Sequence, residues 1–218
     1  MLQPCSHIFP SMVIHQLLSL LWWLPSAHVV YRDGRDSMSR WLCQLLLGST
    51  VRFRQLPSDV KATYPFAGRR TISLVCSGMG IAPMYQILSK MKATSDERSV
   101  VLLYGSETSG DILLKHELDA LLQGELPKLK LVHVLRKLPN ELSLERRASI
   151  TTCTFESGRV DKTKIVTHAF PPSTDGLMVV CGDLPLCEHL LGPGGQLAVH
   201  EGGTLHMLGY TNDMVINL

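Results

Sequence analysis

Four short runs beyond residue 70 are almost wholly apolar: Thr71–Cys76, Val100–Tyr104, Leu129–Leu135 and Leu177–Cys181. A strand that is apolar at nearly every position, rather than at every second one, has both faces buried, which is the pattern of a parallel sheet covered by helices on both sides. Helical patterns lie between the runs, over Pro83–Met91, Ile112–Leu122 and Asp161–Ala169. In the second, Ile112, Leu113, Leu118, Leu121 and Leu122 form an apolar stripe, with Lys115, Glu117 and Asp119 mostly off it. Strands alternating with helices make βαβ units, so residues 69–218 are expected to form a doubly wound α/β domain.

Upstream of this domain the pattern differs. Val29–Arg32 reads as a short strand, and Asp36, Ser37 and Ser39 offer N-cap chemistry for a helix carrying Met38, Trp41, Leu42, Leu45 and Leu46. Ser49–Leu56 alternates Val51 and Phe53 with Arg52 and Arg54, as a half-exposed antiparallel strand does. Pro57 to Gly68 is polar and turn-rich, so residues 29–68 read as a separate piece and residues 1–28 as a further segment. Residues 12–24 are the most apolar stretch but fall short of the roughly 20 needed to cross a bilayer. No Lys or Arg precedes them, as a signal peptide would require. A short buried or interfacial helix is the expectation, and Trp22 and Trp23 keep a membrane anchor or targeting segment as the alternative.

Charge and cysteine spacing remove other classes. With 21 Lys+Arg against 19 Asp+Glu the chain lacks the dense basic face of a nucleic-acid binder, so no nucleic-acid partner is expected. The six cysteines form no C-x-x-C pair and the nine His no H-x-x-x-H, so no metal site is expected. Cysteines set within apolar runs read as buried thiols in a reducing, intracellular compartment.

The chemically telling segment follows the first apolar run: Ser77-Gly78-Met79-Gly80-Ile81-Ala82-Pro83-Met84. Glycines let backbone approach a pyrophosphate, while helix-start N–H groups and the positive dipole end meet the anion. Pro83 suits the first helical position, where its missing N–H costs nothing. Any tight strand-to-helix turn also favours glycine, but strand, turn and helix here stand in the order a dinucleotide site needs.

Gly78 to Met84 closely resembles the G-x-G-I-[AT]-P-M signature of the NADH–cytochrome b5 reductase branch of the ferredoxin–NADP reductase superfamily. Three further segments resemble that branch in order: Leu103 to Leu114, where a polar triplet precedes D-I-L-L; Gly158-Arg159-Val160-Asp161, similar to G-[FHR]-V-[ND]; and Val180 to Leu186, similar to C-G-P-P-[PA]-M. Met214–Leu218 sits where the family ends in a short apolar strand. The resemblance spans residues 29–218. It implies a nucleotide-binding α/β domain preceded by a partial antiparallel β-barrel, the remnant of a flavin domain, over residues 29–68. It implies FAD and NADH or NADPH as cofactors, with hydride passing to the flavin and electrons to cytochrome b5 or a similar haem-domain acceptor.

The same resemblance assigns roles by position. Cys181 stands where the family abuts the reacting carbon of the nicotinamide; taken alone it reads equally as an inert core thiol. Gly182 would let the ring approach the backbone, Asp183 follows it in place of the family's proline, and Pro185 would stiffen the turn. Ser37, Met38 and Ser39 lie where the family's helix start holds the FAD pyrophosphate, though plain N-capping serves those serines as well. Met79, Ala82 and Met84 fall within the nucleotide turn, Ala82 without the hydroxyl that many relatives have there.

Coenzyme choice shows a departure. The family's L-D-[RK]-A-P reads Leu135-Arg136-Lys137-Leu138-Pro139 here, so Arg136 replaces a carboxylate that disfavours a 2′-phosphate. Arg and Lys suit a phosphate, so NADPH is expected to be accepted at least as well as NADH; a solvated basic pair is the bland alternative. The family's R-x-Y-[ST] flavin motif has no counterpart between Met1 and His28, so a catalytically impaired nucleotide-binding or regulatory module, or a truncated product, is the alternative to a working reductase. Contact with a membrane surface through residues 12–24, on the cytoplasmic face of the endoplasmic reticulum or mitochondrial membrane, completes the expectation.

Overall fold

The computed structural model describes residues 64–137, 153–194 and 198–218, with Trp41 and Gln44 besides. The chain divides into two compact units, Met1–Lys61 and Ala62–Leu218. Of the first, Trp41 and Gln44 are helical and exposed. The apolar segment 12–24, the strands expected at 29–32 and 49–56, Ser37, Met38 and Ser39, and with them the barrel remnant, lie outside the described residues.

The second unit is built on six parallel strands: β1 (Thr71–Ser77), β2 (Ser99–Ser106), β3 (Leu129–Leu135), β4 (Cys153–Ser157), β5 (Gly176–Cys181) and β6 (Val215–Asn217), in the order β4-β3-β2-β1-β5-β6. Helices α1 (Ile81–Ala93), α2 (Lys115–Ala120), α3 (Lys162–His168), α4 (Leu184–Leu191) and the short α5 (Thr204–Met207) lie between strands. The four apolar runs of the sequence form the centre of this sheet, and their side chains alternate between two buried faces. One face carries Val75, Val101, Leu103, Val132, Val134, Met178 and Val180, packed with Ile165 of α3 and Leu186, Leu190 and Leu191 of α4. The other is covered by α1, whose Met84, Leu88 and Met91 are fully buried and which packs on β1 and β5.

One in-register row on the α1 face runs across five strands: Phe155, His133, Tyr104, Cys76 and Cys181. The chain builds outward from β1 to β4, then returns to place β5 on the other side of β1. Connections therefore diverge between the carboxyl ends of β1 and β5, the switch point where open α/β sheets bind ligands.

Three boundaries differ from the sequence reading. The turn after β1 tightens into a 3-10 helix over Gly78–Gly80 and α1 begins at Ile81, so Pro83 is its third residue and not its first. The missing N–H still costs nothing, because the whole first turn lacks intrahelical acceptors. The helix expected over Ile112–Leu122 spans only Lys115–Ala120 and passes into a wide turn over Leu121–Glu125. Its expected start is held elsewhere: Thr108 and Asp111 close a capping box around a 3-10 turn, and the Leu113 N–H donates to the Tyr104 hydroxyl at 3.1 Å. Strand β4 escaped the sequence reading because it is a partly exposed edge strand with polar Thr154 and Glu156. Among the described residues no helix is long and apolar enough to cross a membrane.

Candidate functional site

The turns leaving β1 and β5 interlock, and small residues make this feasible. Gly80 lies against the main chain of Cys181: a Cβ there would sit 2.0 Å from the Cys181 carbonyl oxygen. A Cβ on Gly182 would sit 2.5 Å from Ser77 Oγ and 2.8 Å from a Leu186 methyl. The smallness of Gly182 also serves the contact between the two turns. Gly78 is the glycine that faces open space. Its φ of +48° is in the left-handed region, and nothing lies within 4 Å of where its Cβ would be.

Hydrogen bonds fix the lip. Ser77 Oγ donates to Asp183 Oδ1 at 2.6 Å and accepts from the Asp183 N–H at 3.2 Å, joining the end of β1 to the residue before α4. Asp183 is thus the N-cap of α4 by position while its carboxylate turns to Ser77. Pro185 falls in the first turn of α4, where it stiffens a helix start and not the loop that the sequence suggested. On the sheet side, the Tyr104 hydroxyl donates to the Gly78 carbonyl at 3.2 Å and accepts from Leu113, pinning the 3-10 turn to the segment after β2.

The sequence candidates separate into those at the opening and those beneath it. Gly78, Met79 and Gly182 are partly exposed and Asp183 and Pro185 exposed, whereas Ala82, Pro83 and Met84 are buried in the base of α1, where they contribute packing. Cys181 is buried beside Cys76, its register partner on β1. Burial, and secondarily the nearby Cys181, push the Cys76 thiol well above its ordinary pKa, so Cys76 stays protonated and unreactive. Among the described residues no group of His, Cys, Asp and Glu is arranged to hold a metal ion.

Arg136 and Lys137 stand apart from this opening, just past β3. They are joined to the end of β2 by backbone hydrogen bonds from the Arg136 N–H to Ser106 O at 3.0 Å and from the Lys137 N–H to Glu107 O at 2.9 Å. Sequence reasoning placed Ser77, Tyr104 and Glu107 inside matched segments but gave none of them a role. Of these only Tyr104 left a signal, a phenol at the end of an apolar run that has to find a partner once buried.

This arrangement fits a nicotinamide nucleotide. An open left-handed glycine lies at a helix start, at the switch point, between closely packed turns, with two cations beyond the neighbouring strand. For FAD the residues suggested by the sequence lie outside the described set.

Comparison with known proteins gives the same picture. The model of the oxidoreductase NAD-binding domain family matches residues 74–190. NADH-cytochrome b5 reductase 2 of Mus musculus is 28% identical over 208 residues, 88% of this chain and 67% of that protein. The protein of the same name from Scheffersomyces stipitis is 31% identical over 197 residues, 87% of this chain and 56% of its own length. The chain thus spans between about half and two thirds of such relatives. The cytochrome b5 reductase domain of Ulva prolifera nitrate reductase superposes with a TM-score of 0.54 at 22% identity, over 69% of this chain and 49% of that one, a likeness of fold.

Proposed function

The chain belongs to the oxidoreductase NAD-binding domain family, and from that we propose that it serves as a flavin-dependent NAD(P)H oxidoreductase of the cytochrome b5 reductase type. The observation that carries the reading is the interlocked pair of turns at the switch point, with Gly78 open and Gly80 and Gly182 closed against Cys181 and Ser77. In such enzymes a bound nicotinamide supplies a hydride that FAD accepts and releases as single electrons.

The chain's own residues orient the nucleotide. The Gly78–Gly80 turn and the start of α1 receive the pyrophosphate, and the Tyr104 hydroxyl keeps that turn in place. Cys181, held from both sides by Cys76 and Gly80, forms a wall against which the nicotinamide ring rests. The Ser77–Asp183 hydrogen bonds hold the mouth to a constant width. Arg136 and Lys137 favour a 2′-phosphate, so NADPH serves at least as well as NADH.

In this reading residues 29–68 belong to the FAD barrel, with Ser37, Met38 and Ser39 at the flavin pyrophosphate. The relatives' names carry the acceptor, cytochrome b5 or a similar haem domain, and residues 12–24 supply contact with the cytoplasmic face of an intracellular membrane. The test is the visible spectrum of the purified chain with added FAD. A stoichiometric flavin band that bleaches with NADH or NADPH supports the reductase. Nucleotide binding without flavin binding replaces it with a nucleotide-binding module.

A further inference from the structure

The two cations just past β3 already share a partner. Glu107, two residues before the Ser109–Asp111 turn, reaches both: its carboxylate oxygens lie 3.4 Å from the Arg136 guanidinium and 3.5 Å from Lys137 Nζ. All three side chains are about half exposed or more, and the separations are those of loose ion pairs and not of tight bidentate hydrogen bonds. The backbone beneath is fixed, because Arg136 and Lys137 donate main-chain N–H groups to the carbonyls of Ser106 and Glu107. Charges of both signs are therefore held together at the ends of β2 and β3, at a place where the nucleotide reading sets the adenosine ribose. No sequence motif marks Glu107 for this part.

We propose that Glu107 is the specificity-determining residue for coenzyme choice, competing with a ribose 2′-phosphate for Arg136 and Lys137 while offering an acceptor to an unphosphorylated 2′-hydroxyl. The inference rests on the nucleotide reading above and deepens it. A 2′-phosphate, carrying up to two negative charges, has to displace the carboxylate from both cations before it gains them, and then lies beside that carboxylate. A 2′-hydroxyl has no such cost and donates to a carboxylate, the partner that dinucleotide sites use for NAD. Glu107 thus weakens a preference for NADPH that Arg136 and Lys137 would otherwise impose.

The experiment is calorimetric titration of the full chain with 5′-AMP and with 2′,5′-ADP, which differ only in the 2′-phosphate, for the wild type, Glu107→Gln, Glu107→Lys and Arg136→Asp. One charge removed at about 4 Å in water is worth about fivefold in binding. Glu107→Gln is expected to raise the 2′,5′-ADP to 5′-AMP affinity ratio by about that factor. Glu107→Lys raises it further, and Arg136→Asp lowers it. A ratio unmoved or lowered by both Glu107 variants, while Arg136→Asp still lowers it, overturns the role of Glu107 and leaves the nucleotide site standing. If neither nucleotide binds the wild type, the site reading fails and this inference with it. Unchanged melting temperatures of the variants without ligand exclude a folding effect.

Discussion

At the scale of single residues, Gly80 and Arg136 put the proposed site to the test. A methyl group at Gly80 meets the Cys181 carbonyl at 2.0 Å, main chain against main chain, and nothing flexible is there to give way. Gly80→Ala is expected to cost about 1–3 kcal/mol of stability, the range for overpacking, and to weaken nucleotide binding at least tenfold by spreading the two turns. Titration of NADH with a parallel melting curve checks both; native affinity in a folded variant would contradict the interlocking described above. Arg136 tests the chemistry instead of the packing. Arg136→Asp is expected to lower the ratio of NADPH to NADH affinity, since it replaces a phosphate partner with a group that repels phosphate. Paired titrations with the two coenzymes measure it.

At the scale of elements, the sheet holds an unusual member. His133 on β3 is fully buried, stacks on Phe155 of β4 at a ring separation of 5.0 Å, and has among the described residues no hydrogen-bond partner for either ring nitrogen. Burial pulls its pKa down from 6.5 to about 4, helped by Lys115 and partly opposed by Asp119, both on α2. In the unfolded chain the ring takes up a proton near pH 6.5, and in the folded chain only near pH 4, so the unfolded state binds more protons between those values. Stability is therefore full above about pH 6.5 and falls as pH drops towards 4, by on the order of 3 kcal/mol at 1.36 kcal/mol per pKa unit. His133→Leu is expected to flatten the melting temperature between pH 6.5 and 4; an unchanged slope would assign the acid sensitivity to other groups.

A second cluster acts in a lower window. The Arg98 guanidinium holds the Asp96 carboxyl well below the usual carboxylate range, and the Tyr64 hydroxyl also touches Asp96, tying the segment before β1 to the loop after α1. That contribution is complete above about pH 4 and is lost as pH falls through the lowered value, so it does not overlap the His133 window.

At the scale of the whole molecule, strand order decides where a ligand goes. Because β5 returns to pair with β1, the carboxyl ends of β1 and β5 become neighbours although about a hundred residues separate them in the chain. The residues proposed to hold the nucleotide all belong to the Ala62–Leu218 unit, so ligand stabilisation of that unit is expected without flavin. NADH or NADPH at a hundredfold excess over its dissociation constant adds about 2.7 kcal/mol to folding stability. A rise in melting temperature of the FAD-free chain with either coenzyme, absent in Gly80→Ala, is the expected result. A rise only after FAD addition would move part of the site into the other unit.

The division between sequence and tertiary structure follows from the range of the interactions. The apolar runs, the Gly78–Met84 turn and the helix beginning near Asp161 were legible in the chain because each depends on neighbours a few residues away: strand burial, backbone freedom and helical periodicity are local signals. The start of α2 was not legible, since the Tyr104 hydroxyl and the Thr108–Asp111 turn hold Ile112–Leu114 out of the helix against a good apolar stripe. Nor was the role of Gly182, whose neighbour Ser77 belongs to a strand over a hundred residues earlier. Glu107 was passed over for the same reason: its partners Arg136 and Lys137 come beside it only through the register of β2 on β3. The sequence by itself determined the parallel α/β class of the second unit and marked the Gly78–Met84 turn as the one proposed to meet a phosphate. Only the packing of distant strands decided which glycine stays open and which charge stands against the cations, because both depend on contacts between segments that local chemistry cannot bring together.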